Sequence, residues 1–572
     1  ILKINIKRYN KIILFYNEYL GKKYIENNKE ILSSIKYYKG LGTSSNDDIH
    51  SSFGVNMQIF KYDKNTNNSI ITMFDCGKAD ERKILINDFV KEINNCDDDL
   101  VTVEQYINSV NASKTNPNIH IVEDNIKKIS DFMRKDMVEF SYENCKRTIP
   151  NIMDGLKQSQ RKILYGLFTK NLNFDKQVIK VAQLSGYVAQ VSNYHHGEQN
   201  LNDTIINMAK DCIGSNNIPL LFPSGQFGTR GENNAAAARY IFTKLNKLTK
   251  FIYKPIDNVL LDYITDDGVL VEPTFYLPVI PMVLVNKIKG IGSGYSTDIQ
   301  CYNVEKIIKY IKNWLINGTY LDIIIEPWYR NFKGNIKYLD NDKWEMTGTY
   351  TQDKNIITIT EIPVTVSIND IKIRLEELEK DNKIVRYKNR STATDPIFDI
   401  QLNNAEFSIY ELVPKMKTTI SITNMQVFDR NNNLTKFDNI YDIMKYFIKE
   451  RIIFYEKRRL YIIDDIKEEL KKISNKYRFI TTIISDSDPL FKNTYDKLLF
   501  YLKDNKYDLD VEGTYKYLTD LPTRNYTKDQ LEKLKNELEN KKKDLTLIQS
   551  KTDKDLWLED IEDLENEYKK NN

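Results

Sequence analysis

Gln226-Phe-Gly-Thr-Arg-Gly-Glu-Asn-Asn-Ala-Ala-Ala-Ala-Arg-Tyr-Ile-Phe-Thr243 sets a phenol beside a guanidinium, Arg239-Tyr240, at the end of a run of alanines. Small side chains let something bulky approach the backbone. A tyrosine hydroxyl is a potential oxygen nucleophile, and a neighbouring arginine steadies charge on a phosphate under attack. The plainer reading is a core tyrosine at a helix start, in a chain that has 37 tyrosines. Two residues do not decide between these, because function belongs to a site and its surroundings.

The surroundings are basic. Between Arg147 and Lys250 there are 13 Lys+Arg against 6 Asp+Glu, although the whole chain carries a formal charge of only +3. Such a segment in a near-neutral chain marks a polyanion surface, with a lysine-rich solvated face as the alternative. In Asn151–Tyr165, Lys157, Arg161 and Lys162 recur at helical spacing. A helix with a basic face and an apolar back fits a winged-helix or helix-turn-helix module. His195 and His196, in Tyr194-His-His-Gly-Glu-Gln199, have no third ligand at a metal-binding spacing. They suit hydrogen bonding to a phosphate, or a plain structural loop. In Lys289-Gly-Ile-Gly-Ser-Gly-Tyr-Ser296 the glycines would expose Ile291 on a tight loop. An exposed Ile beside a basic groove is a wedge for DNA bases; ordinary packing is the other fate.

Further out, Ile1-Leu-Lys-Ile-Asn-Ile-Lys7 alternates like a strand entered in mid-domain, which places the expected natural N-terminus upstream. Ile35–Ser44 reads as a strand breaking into a Gly-Leu-Gly turn, where backbone amides and Lys39 would meet an anion. A helix is expected from 80–83 to about Asn94, then a polar break to Leu100 and a helical stripe of Val103, Tyr106, Ile107 and Val110. Val271–Val285 reads as an apolar strand region. Leu531, Leu534, Leu538, Leu545 and Ile548 follow a heptad interrupted by Lys541, and Thr527 with Gln530 reads as a capping box. Ile462, Ile466, Leu470, Ile473, Tyr477 and Ile480 form the facing stripe, which gives an antiparallel helical arm with a tip at 486–524.

With 572 residues, the size prior is roughly three to four domains. A 28% charged and 41% hydrophobic composition is that of a soluble globular chain rather than a disordered one. The 5 cysteines contain no Cys-x-x-Cys, which argues against zinc modules and disulfide frameworks and fits a reducing compartment. No signal peptide or membrane-length apolar run is visible.

Taken together, the motifs resemble those of type IIA DNA topoisomerases. They run Tyr37-Tyr-Lys-Gly-Leu-Gly-Thr-Ser44; Arg147-Thr-Ile-Pro150; Asp154-Gly-Leu-Lys157 with Gln160-Arg-Lys162; and Tyr194-His-His-Gly-Glu198. Gly214-Ser-Asn-Asn217, Gln226-Phe-Gly-Thr-Arg230, Ala238-Arg-Tyr-Ile-Phe-Thr243 and Ile280–Asn286 with Gly290-Ile-Gly-Ser-Gly294 follow in family order. The resemblance is greatest to eukaryotic topoisomerase II and its large-DNA-virus relatives, and it extends to Asp555-Leu-Trp-Leu-Glu-Asp560.

The resemblance implies an α+β multidomain fold. Residues 1–95 would be the C-terminal part of a TOPRIM domain and its linker, and 96–300 a winged-helix DNA-cleavage domain. Residues 301–435 would be a tower domain, and 436–572 a long antiparallel coiled coil with a C-gate for dimerisation. It implies Tyr240 as the nucleophile of a 5′-phosphotyrosyl link, with Arg239, Arg147, His195 and His196 acting on the scissile region. Lys39, Arg82, Lys83, Lys157, Arg161, Tyr194 and Gln226 would touch DNA, and Ile291 would intercalate. It implies double-stranded DNA and a second copy of the chain as partners, an intracellular setting (nucleus, or host cytoplasm or virus factory), and no membrane. Mg²⁺ and ATP would serve the full enzyme, their ligands lying N-terminal to Ile1. A cleavage component of a split topoisomerase and an inactive DNA-binding dimer are the rival readings; the intact Arg239-Tyr240 pair argues against the second. The loop from Arg230 to Tyr240 departs from the family in being shorter and lacking Gly-Gly-Lys-Asp.

Overall fold

The computed structural model describes residues 59–95, 126–231, 234–266, 268–403, 408–485, 494–510 and 512–571, with three strands and two single residues before them. Lys39, its Gly-Leu-Gly turn, the break at 96–100 and the stripe from Val103 to Val110 lie outside the described residues. Strand Leu2–Ile6 is central, with Lys11–Phe15 and Leu32–Tyr37 antiparallel on either side. The alternation that opens the chain is therefore a strand.

Helices Thr66–Phe74, Ala79–Asn95, Ile129–Arg134 and Asp136–Thr148 follow. They bury Met73, Ile86, Val90, Val138, Tyr142 and Cys145, and Tyr295 of a distant hairpin closes the same cluster. That hairpin pairs Ile288–Ile291 with Ser296–Ile299. It lies directly on the end of helix Asp136–Thr148. A Cβ added at Gly290 would stand 2.1 Å from the Thr148 carbonyl oxygen, so only glycine permits the approach.

Three helices, Gln158–Thr169, Val181–Val191 and Glu198–Ala209, pack on a three-stranded antiparallel sheet. Its order is Ile179–Lys180, Phe242–Leu245, Leu221–Ser224. Ile163, Leu164 and Leu167 recur at the 3-to-4 spacing that puts them on one buried helix face. The opposite expectation for this helix needs correction. Arg161 and Lys162 are not a solvated basic face but buried anchors. Arg161 donates to both oxygens of Asp154 at 2.7 and 3.1 Å, and Lys162 Nζ donates to Glu272 Oε2 at 2.8 Å. Burial raises the Glu272 carboxyl, and the Lys162 ammonium offsets only part of that. The apolar run Val271–Val285 is also less regular than its composition suggests. Only Val269–Pro273 is a strand, and a 3₁₀ turn covers Met282–Leu284. Pro273, Pro278 and Pro281 cannot donate to a ladder.

The core of the three-helix unit does not stop at residue 300. One buried cluster runs from Ile152 through helix Val304–Asn317 to the base of helix Ile440–Ile484 and to helix Asp553–Asn571. Trp557 is fully buried there, stacked on Tyr455 at 5.2 Å, with Nε1 donating to the Val279 carbonyl at 2.9 Å.

Residues 335–421 add two sheets. Thr349–Asp353, Ile356–Glu361, Phe398–Leu402 and Ile384–Asn389 form one, in that order, covered by helix Ile368–Lys380. Asn335–Tyr338, Lys343–Thr347 and Lys417–Ser421 form the other. The 45-residue helix Ile440–Ile484 then projects and is met by Lys528–Ser550. Ile473 and Ile480 pack with Leu531, Leu534 and Leu538, while Ile462 and Ile466 share a cluster with Leu545 and Ile548. Rising numbers on one helix meet falling numbers on the other, so the two are antiparallel. Thr527 Oγ1 accepts from the Gln530 amide at 3.4 Å, and Lys541, the polar break in the heptad, pairs with Glu469 across the interface. Phe479, Leu498, Leu502, Tyr507 and Leu518 make a small core at the far end.

Candidate active site

Tyr240 sits in a turn immediately before strand Phe242–Leu245 and is 65% exposed. Its neighbours explain the turn. Ile241 is buried, and Gly225 with φ +113 brings the facing backbone against the Ile241 side chain. The Val181 amide donates to the Ile241 carbonyl at 3.0 Å and the Ala182 amide to the Ala238 carbonyl at 3.2 Å. The first turn of helix Val181–Val191 therefore holds the segment from both sides of Tyr240. Ala235, Ala236 and Ala238 pack on the core, where larger side chains would push the strand away. The Arg239 guanidinium lies 4.8 Å from the centre of the Tyr240 ring, a cation–π contact with both side chains outward. Gln226 is exposed, its side-chain oxygen accepting from the Gly228 amide at 3.3 Å.

The other end of the same helix runs into Tyr194-His195-His196. Arg147, at the end of helix Asp136–Thr148, approaches His196 Nε2 at 3.4 Å, and Tyr194 meets the His196 ring edge-to-face at 5.4 Å. Asn200 donates to the Tyr194 hydroxyl at 3.0 Å. Burial raises the Tyr194 phenol, against the Asn200 hydrogen bond and the Arg147 charge, which lower it. His195 points elsewhere, with Nε2 3.1 Å from Asp266 Oδ2. Eleven residues separate the two helix ends, about 16 Å at ~1.5 Å per residue. The structure thus joins Arg147, Tyr194 and His196, and keeps this cluster apart from Arg239-Tyr240.

Ile291 stands at the tip of the hairpin beside Arg147 and is 72% exposed. Lys157 Nζ donates to the Lys289 carbonyl at 2.7 Å, bracing the hairpin, and burial lowers its ammonium. Arg82 is partly spent: it donates to the carbonyls of Thr72 at 2.9 Å and Asp75 at 2.7 Å, capping helix Thr66–Phe74. Lys83 pairs with Asp80 at 2.7 Å beside the Tyr295 ring. Arg161, buried on Asp154, presents no guanidinium to a ligand. Asp266, Asn200 and Asp154 are partners that the sequence does not single out. Asp154 lies close to Arg161 in the chain, but no local signal links Asp266 to His195, 71 positions earlier.

Among the described residues, no group of three or more His, Cys, Asp and Glu is placed to hold a metal ion. No helix among them is long and apolar enough to cross a membrane.

Chemically this is a surface for working on a nucleic-acid backbone. Residues 147–562 match the family model for the A-type polypeptide of DNA gyrase/topoisomerase IV, and residues 1–145 match the C-terminal associated domain of TOPRIM. The DNA topoisomerase 2 of Invertebrate iridescent virus 6 is 34% identical over 98% of this chain and 48% of that protein. That of Plasmodium falciparum is 34% identical over 94% of this chain and 40% of that protein. The crystal structure of the Plasmodium falciparum topoisomerase II DNA-binding, cleavage and re-ligation domain superposes with a TM-score of 0.83 at 34% identity, covering 100% of this chain and 79% of that one. The chain belongs to the type IIA DNA topoisomerases, as a breakage-reunion core homologous to that of eukaryotic and viral topoisomerase II. It spans about half or less of the length of these curated relatives, at 48% and 40%.

Proposed function

We propose that Tyr240 opens a DNA strand by attacking a backbone phosphorus. Its phenolic oxygen forms the new P–O bond and the P–O3′ bond breaks. The 3′-oxygen leaves with the proton the phenol gives up, and the 5′-phosphate stays on the tyrosine. Resealing is the reverse, and needs no external energy because one phosphodiester replaces another. Arg239 lies where it can neutralise charge on the phosphate in flight. The observation that carries this reading is the exposed Arg239-Tyr240 pair, held by the start of helix Val181–Val191 and facing solvent.

Arg147, Tyr194 and His196 bind phosphates several nucleotides away, given the helix length between the clusters. One tyrosine cuts one strand, so a double-strand gate takes two chains. The three helices and sheet at 158–245 serve as the winged-helix unit, the sheets at 335–421 as the tower, and the antiparallel helices as the coiled coil leading to a C-gate. In the complete enzyme, ATP drives passage of a second duplex, which relaxes and decatenates DNA. Mg²⁺, when bound, neutralises phosphate charge.

The test traps the adduct from the protein of the complete reading frame with Mg²⁺. Cleaved strands are expected to carry protein at the 5′ end and an extendable 3′-hydroxyl. A blocked 3′ end would overturn the assignment.

Ile291 serves as a wedge that kinks the gate duplex. Ile291→Ala is expected to reduce bending of a doubly labelled duplex by FRET. Its stability should stay within about 0.5 kcal/mol, because the side chain is exposed. Unchanged bending would remove the wedge role.

A further inference from the structure

We infer that Arg230 is a positioning residue for Tyr240, tying the nucleophile's loop to the four-stranded sheet through Glu361. The inference rests on Tyr240 being the nucleophile. Arg230 is buried, with Nη1 2.5 Å from Glu361 Oε1 and Nη2 donating to the Ile362 carbonyl. Its own amide donates to the Ala393 carbonyl at 3.2 Å. Burial lowers the Arg230 guanidinium, and the Glu361 carboxylate opposes that. Glu361 is committed in turn: the Ile362 amide donates to Oε1 at 2.8 Å and the Lys333 amide to Oε2 at 3.1 Å.

The geometry makes this a strut. The Ala236 amide donates to the Gln226 carbonyl at 2.9 Å and closes the loop at its base, four positions before Tyr240. Arg230 fixes the outer part of the same loop. The turn bearing Tyr240 is thus held on one side by helix Val181–Val191 and on the other by a sheet more than 100 residues further along the chain. A purely local loop would not need a buried charge to reach so far, since an unpaired one is costly to bury. Misplacing a reacting group by about 1 Å costs on the order of 10²-fold in rate. Slack in the strut should therefore appear at the chemical step and not in DNA binding.

The experiment uses the protein of the complete reading frame with Mg²⁺ and a labelled duplex. Arg230→Lys keeps the charge but cannot reach Glu361 and Ile362 together. It is expected to slow adduct formation at saturating DNA by about 10- to 100-fold, following that placement sensitivity. Duplex Kd should stay within about twofold, because Arg230 is buried away from the DNA-facing groups. Hydrogen exchange at 234–240 should rise. Glu361→Gln, which keeps the shape, is read the same way if Arg230→Lys does not fold. An unchanged rate at saturating DNA, or a loss confined to Kd, overturns the inference. Tyr240→Phe runs alongside: an adduct in that variant would sink the nucleophile assignment, whereas an adduct lost there but unaltered in the Arg230 and Glu361 variants would sink the strut alone.

Discussion

Tyr240→Phe is expected to lower adduct formation on a cleavable duplex by at least about four orders of magnitude, since removing a covalent nucleophile costs on the order of 10⁶ in kcat in a well-studied hydrolase. The change deletes one oxygen from a side chain that is mostly exposed and rests under Arg239. It removes no buried packing, so folding stability should stay within about 0.5 kcal/mol. Duplex affinity should be unaltered, because Arg147, Tyr194 and His196 are untouched at the other end of the helix. The measurement is denaturant trapping of protein on end-labelled DNA, with gel-shift affinity beside it. An adduct that persists in the Phe variant would move the nucleophile elsewhere. A parallel collapse of affinity would make Tyr240 a binding residue.

The largest loss of stability is expected from Asp257→Ala. Asp257 accepts from Arg451 Nη2 at 2.6 Å and from Arg458 Nε and Nη2 at 2.6 and 2.5 Å, and all three residues are buried. Both guanidinium groups also lie over the Tyr455 ring, at 4.1 and 4.3 Å, and that ring stacks on Trp557. Removing the carboxylate strands two cations in the core, which costs about 3–5 kcal/mol. Urea unfolding followed by Trp fluorescence reads the effect; a deficit below about 1 kcal/mol would mean that the arginines find other partners.

Asp560 gives the same network a pH signature. Burial raises its carboxyl, but Arg458 and Lys254 outweigh that, so it sits below the usual carboxylate range. Its contribution is then complete above an unfolded value of about 3.9 and is lost as pH falls through the lower folded value.

What is legible in the sequence is what repeats locally or depends on immediate neighbours. The heptad from Leu531 to Ile548 needs only periodicity, and its facing stripe from Ile462 to Ile480 packs as expected. Ile291 is exposed because the glycines beside it allow the backbone to lie against Thr148. Arg161 and Lys162 escape a correct reading because spacing places charges on a face without saying whether that face meets water. Glu272, which makes Lys162 a core residue, is 110 positions away. The separation of His195 from His196 is invisible for the same reason: adjacent residues diverge because Asp266 and Arg147 approach from different elements. The core shared by residues 152–568 likewise arises from tertiary packing, which divides less sharply than motif order.

The clamp on Asp257 also fixes a pivot. From Arg458 to the helix end at Ile484 there are 26 residues, about 39 Å of nearly rigid rod at ~1.5 Å per residue. Each degree of rotation about that point moves the far end by roughly 0.7 Å, so a swing of about 10° carries it about 7 Å, more than one helical turn. Such leverage means that a displacement smaller than a side chain at the clamp becomes a gap wider than a water molecule at the tip. The mechanical gain is set by arm length, and every turn of helix added or deleted between Arg458 and Ile484 would rescale it.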